Sequence, residues 1–157
     1  MAFEFTSEHK RQFEEILKRY PVKRAAMLPA LWLVQRQAGW ISHEAMEYVG
    51  KLLDLSPAKV YEVATFYTMF NLKPAGKYHF QVCRTLPCQL VGAESVTEHL
   101  QKKLGVKLGE TSADGRYTLT EVECLGSCGT GPMLQLNDDY HENLTAEKLD
   151  ALIASLK

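Results

Sequence analysis

Tyr78-His79-Phe80-Gln81-Val82-Cys83-Arg84-Thr85-Leu86-Pro87-Cys88 is the stretch on which the fold turns. Tyr78, Phe80 and Val82 alternate with His79, Gln81 and Cys83, a period of two that predicts a strand delivering Cys83 at its C-terminal end. The device recurs, because Tyr117 to Glu123 predicts a strand that delivers Cys124 the same way. Between them Gly92 to Leu104 reads as a helix stopped by Gly105, and Asp114-Gly115 as a turn. Met133 to Leu136 predicts a short strand, Asn137-Asp138-Asp139 a turn, Tyr140 to Glu142 a last strand, and Thr145 caps a helix ending near Leu156. The order is β-α-β-β-(β)-α. Both cysteine pairs, Cys83/Cys88 (C-x4-C) and Cys124/Cys128 (C-x3-C), begin at strand ends and can converge at one end of a sheet.

Upstream the period is that of helices. Ser7 to Tyr20 sets Phe13, Ile16, Leu17 and Tyr20 on one face, and Ala25 to Ala38 is strongly apolar with Gly39 as its stop. Ser42 is an N-cap for a helix reaching Leu53, and Ser56-Pro57 starts a fourth that runs to about Phe70. Met27, Leu28, Leu31, Trp32, Val34, Val60, Val63, Phe66, Tyr67 and Phe70 are the expected core of this bundle. Pro74 and Gly76 mark the change of period. The expected domains are a helical one at 1–75 and a sheet domain at 76–157.

Composition excludes several classes of function. A 157-residue chain, 46% hydrophobic, can bury an ordinary core, and a formal charge of −1 provides no basic field for nucleic acid. The longest apolar run, Ala25 to Val34, is ten residues and contains Pro29, well short of the ~20 that a membrane span needs. The first eight residues do not read as a secretory or transit peptide, so the thiols are expected in a reducing compartment.

All four cysteines lie in two short windows, which scattered buried thiols would not explain. Disulfides would close only small loops and are disfavoured in a reducing compartment, and the C-x-x-C of a redox dithiol is absent. Four thiolates supplied as two pairs suit either a tetrahedral zinc or a two-iron cluster. The glycines of Cys124-Leu125-Gly126-Ser127-Cys128-Gly129-Thr130-Gly131-Pro132 favour the cluster, because they let backbone N–H groups approach its several sulfur acceptors. Zinc stays open at this point. His9, His43, His79, His99 and His141 lie outside both windows and read as ordinary surface or packing residues.

The two windows, Cys83-Arg84-Thr85-Leu86-Pro87-Cys88 and Cys124 through Met133, resemble the thioredoxin-like [2Fe-2S] ferredoxin subunit family of NADH:quinone oxidoreductase, respiratory complex I. The likeness extends to Gln35-Arg36-Gln37-Ala38-Gly39-Trp40, to Tyr61 through Phe70, to Asn137-Asp138-Asp139-Tyr140 and to Leu144-Thr145. It implies a small helical bundle followed by a thioredoxin-like domain, an α+β chain in which Cys83, Cys88, Cys124 and Cys128 ligate one [2Fe-2S] cluster. It also implies one-electron exchange with the flavin of a partner subunit that carries FMN and NADH, in a complex peripheral to the inner membrane on the cytoplasmic side. No catalytic residue is expected in the chain itself, and neither nucleic acid nor direct membrane insertion. The equivalent diaphorase subunit of an NAD-linked hydrogenase or formate dehydrogenase is the near alternative, and a zinc-stabilised interaction domain the distant one.

The family's second window usually has Ala where Ser127 stands and often Ala where Gly131 stands. Ser127 is therefore expected to offer a hydroxyl donor near sulfur and raise the reduction potential. Pro132, before a short strand, matches the place of a cis proline common in thioredoxin-like folds.

Overall fold

The computed structural model describes residues 2–157, in two units, residues 2–74 and Ala75–Lys157. The first holds α1 (Ser7–Leu17), α2 (Met27–Ala38), α3 (His43–Leu53) and α4 (Pro57–Phe66), with a 3-10 turn at Lys23–Ala26 leading into α2. Thr6 caps α1 through His9 N–H, Ser42 caps α3 through Ala45 N–H, and α2 ends on Gly39 at φ 80°, a left-handed position that glycine takes without penalty. Phe13, Leu31, Val34, Ile41, Val49 and Val60 are among the side chains of its buried core.

The fourth helix is shorter than its pattern predicts. It stops at Phe66, Tyr67 is extended (φ −93°, ψ 111°), and Phe66 and Tyr67 stand 76% and 38% exposed instead of joining the core, while Phe70 is buried. The backbone beyond Phe66 has better partners than a further helical turn. Gln35 donates to Met69 O (2.9 Å) and accepts from Asn71 N–H (2.6 Å), and Ile41 N–H donates to Asn71 O (2.8 Å).

The second unit is built on a four-stranded mixed sheet in the order β2-β1-β3-β4, from β1 (Tyr78–Cys83), β2 (Tyr117–Val122), β3 (Leu134–Leu136) and β4 (Asp139–His141). β1 runs parallel to β2 and antiparallel to β3, so the central strand pairs only with segments that follow it in the sequence. Pairing Phe80 with Leu119 and Leu136 puts one apolar row on one face, where α6 (Ala93–Leu104) packs on β1 and β2 with α7 (Ala146–Ser155) beside it. Phe80, Leu100, Leu119, Met133, Leu134 and Leu149 belong to this core. The alternate positions, among them His79, Gln81, Thr118, Thr120 and Gln135, form the polar face, where His79 Nε2 and Thr120 Oγ1 are 2.8 Å apart.

The expected last strand is present but begins at Asp139, one residue before the predicted start. A helix not foreseen, α5 (Leu86–Leu90), carries Cys88 inside the first cysteine window. Thr85 followed by Pro87 was the available start signal. The Gly131–Pro132 peptide bond is cis, as expected from the position of Pro132.

Candidate metal centre

The parallel pairing of β1 with β2 brings the two cysteine windows to one end of the sheet. Cys83 ends β1 opposite Val122, the last residue of β2, so Cys124 follows two positions beyond the neighbouring strand end. The junction is stitched by Arg84 N–H to Val122 O (2.9 Å), Cys83 N–H to Met133 O (3.2 Å) and an exposed ion pair between Arg84 and Glu123 (2.8 Å).

Cys83 and Cys88 are buried, Cys124 and Cys128 exposed, and all four are free thiols. Cys83 Sγ lies 3.1 Å from Glu123 O and 3.3 Å from the Thr85 hydroxyl. Burial pushes its thiol up, but hydrogen bonds from Thr85 and from the Leu125 N–H outweigh it and hold Cys83 below the ordinary thiol value. Cys88 goes the other way, pushed up to about 11 by burial and then by its hydrogen bond with, and the charge of, Cys83. The two thiols titrate as a coupled pair in which Cys83 is the more acidic. Gly126, at φ 79°, donates its N–H to Cys124 Sγ at 3.3 Å. A Cβ at Gly131 would come within 2.9 Å of Val91 Cγ2, just past the end of α5, so Val91 holds this residue small. Leu86, Leu90 and Val91 form an exposed apolar rim on that helix, 70%, 77% and 52% accessible.

The structure places Cys83 against Cys88 and brings Cys128 within electrostatic reach of Cys88. It does not draw the four sulfurs to a single point. Among the described residues no three His, Cys, Asp or Glu side chains are gathered closely enough for one metal ion. Four histidines have other partners: His9 has the Thr6 hydroxyl (2.8 Å), His79 has Thr120, His99 has Asp150 (2.8 Å), and His43 stacks on Tyr61.

Ser127 corrects the sequence reading. Its hydroxyl does not face sulfur as a donor; it donates to Glu142 Oε1 and lies 2.6 Å from the Thr130 hydroxyl, which itself donates to Glu142 Oε1 at 2.6 Å. Its hydrogen is thus already engaged, and the upward shift of potential expected from it has no donor behind it. Thr85 and Glu142 went unnoticed in the sequence. Thr85 could have been found from its place inside the first window, whereas Glu142 lies fourteen positions beyond Cys128 and reaches it only through the β3–β4 hairpin.

The sequence model of the thioredoxin-like [2Fe-2S] ferredoxin family matches residues 13–157. The chain is 51% identical over 154 residues to the E subunit of the NADH-quinone oxidoreductase of Rickettsia felis, covering 96% of this chain and 92% of that one. It is 43% identical over 148 residues to the E 2 subunit of the NADH-quinone oxidoreductase of Rhizobium meliloti, covering 94% and 88%. Among solved structures, the air-oxidised NAD+-reducing [NiFe]-hydrogenase superposes with a TM-score of 0.74 at 22% identity, over 83% of this chain and 22% of the hydrogenase chain, a likeness of fold. With cysteine pairs at the ends of adjacent strands and a family match that spans nearly the whole sequence, the chain belongs to the thioredoxin-like [2Fe-2S] ferredoxins.

Proposed function

We propose that Cys83, Cys88, Cys124 and Cys128 hold one [2Fe-2S] cluster, and that the chain is an electron-transfer subunit of a respiratory NADH:quinone oxidoreductase. The observation that carries this is the delivery of two thiol pairs by the adjacent ends of parallel strands β1 and β2. Two thiol pairs on the ends of adjacent strands suit a group with two metals, one pair to each. The donor chemistry fits as well. The Leu125 N–H and the Thr85 hydroxyl already point at Cys83 sulfur, where they favour the thiolate form that a metal needs, and the Gly126 N–H donates to Cys124 Sγ.

A [2Fe-2S] cluster takes up and gives back one electron at a time. The chain's own residues supply ligands, hydrogen bonds and a partly dry setting, with Cys83 and Cys88 buried and the second pair open to approach. In this reading FMN and NADH belong to a partner subunit, the electron passes between that flavin and the exposed Cys124/Cys128 side, and the assembly is peripheral to the membrane on its cytoplasmic face. Among the described residues no helix is long and apolar enough to cross a membrane. The respiratory assembly is preferred to a soluble diaphorase because the near full-length relatives at 43–51% identity carry the respiratory name.

Iron, zinc and acid-labile sulfide analysis of anaerobically purified chain, with electron paramagnetic resonance before and after reduction, tests the reading. Two irons and two sulfides per chain with a signal only after reduction are expected, and Cys124→Ala should abolish or badly weaken that signal. One zinc without sulfide, in protein made with ample iron, would overturn it.

A further inference from the structure

Cys128 is held by little regular backbone. It opens a three-residue 3-10 turn, Cys128–Thr130, in a segment containing Gly126, Gly129 and Gly131, and it is exposed. Glycine-rich backbone loses much entropy on ordering, so a ligand held there needs outside support. That support is concentrated just past the end of β4. Thr130 O accepts from Asn143 N–H at 2.7 Å, and Glu142 Oε1 takes the hydroxyls of both Ser127 and Thr130, the residues that bracket Cys128. The two hydroxyl oxygens, themselves 2.6 Å apart, share two hydrogens with one carboxylate oxygen, an arrangement that an ionised acceptor stabilises more than a neutral one. Among the described residues no ion pair engages Glu142.

We infer that Glu142 is a positioning residue for Cys128, clamping the Ser127–Thr130 turn through both hydroxyls and setting an uncompensated negative charge beside the ligand. The inference rests on the proposed ligation of a [2Fe-2S] cluster by the four cysteines. Its two consequences separate in two variants. Glu142→Ala removes the acceptor and frees the turn. Glu142→Gln keeps an oxygen that accepts both hydroxyls and removes only the charge, and loss of a nearby negative charge makes addition of an electron easier.

The experiment uses the full chain, anaerobically purified. Iron and sulfide content, the rate at which excess chelator bleaches the visible absorbance, and the midpoint potential from a titration followed by electron paramagnetic resonance are measured for parent and variants. Glu142→Gln should bleach within about twofold of the parent and show a higher midpoint potential, while Glu142→Ala should bleach about tenfold faster, the loss expected for hydrogen bonds to a charged group. Bleaching of Glu142→Ala at the parental rate, bleaching of Glu142→Gln as fast as Glu142→Ala, or an unmoved potential in Glu142→Gln overturns the inference. Should Glu142→Ala not fold, the double variant Ser127→Ala with Thr130→Val removes both donors and must show the accelerated bleaching in its place. A parent lacking iron and sulfide would overturn the ligation and this inference together. A parent with a full cluster and indifferent variants would overturn the inference alone.

Discussion

His79 is a half-buried imidazole on the polar face of β1, and this burial depresses its pKa from 6.5 to about 4. Below pH 6.5 the unfolded chain takes up a proton on this side chain, which the folded chain refuses until about pH 4. Stability is therefore fully present above 6.5 and declines as the pH falls from 6.5 towards 4, by about 2 kcal/mol at pH 5. Denaturant unfolding at pH 7 and pH 5 should show this loss in the parent and a smaller one in His79→Gln; equal losses would remove His79 as its source. Gly131 makes a second residue-scale prediction. Gly131→Ala presses on Val91 at 2.9 Å and should cost about 1 kcal/mol, and adding Val91→Ala should restore most of it, since Val91 is the contact that must yield. If the two costs simply add, the contact is not the cause. At this scale the delivery of the two cysteine windows by strand ends was legible in the sequence. The Glu142 clamp was not, because nothing local marks a carboxylate that acts across a hairpin.

Among the elements, two serines that look alike as helix starts behave differently. Ser42 accepts from Ala45 N–H at 3.2 Å, whereas Ser56, also extended and followed by Pro57, makes no side-chain cap bond. Ser42→Ala should lower stability by about 1 kcal/mol and Ser56→Ala by less than about 0.5 kcal/mol, measured by denaturant unfolding; a reversed order would contradict the cap assignment. Gly50 faces the turn into α4, where a Cβ would meet Leu55 O at 2.9 Å. A carbonyl of the backbone cannot rotate away as a side chain does, so Gly50→Ala should destabilise by about 1–3 kcal/mol despite alanine's better helix propensity, and a gain in stability would show that α3 and α4 have room to separate. Element types followed from sequence period almost throughout. One failure came where hydrogen bonds from elsewhere claimed the backbone, since Gln35 and Ile41 capture residues 69–71 and end α4 early; the other was local, the Thr85-Leu86-Pro87 start that winds the first cysteine window into α5.

For the whole molecule, two separate apolar cores mean that each unit has its own reason to fold. A fragment of residues 75–157 should retain helical and strand circular dichroism and, if the proposed ligation holds, visible absorbance from bound iron; a fragment that is unfolded in isolation would make the sheet unit dependent on the first. The order of strands was beyond sequence reasoning, since period reveals that a segment is a strand but not which neighbour it chooses. That order carries a consequence for biogenesis. β1 is flanked on both sides by strands that follow it, and Cys83 lies 41 positions ahead of Cys124. While the chain is being made, the first thiol pair emerges with neither neighbouring strand yet available, and the centre comes together only after the second window and β3 have left the ribosome. If the proposed ligation holds, all four ligands are available to iron only late in synthesis, with the exposed Cys124 and Cys128 side open to a delivery factor.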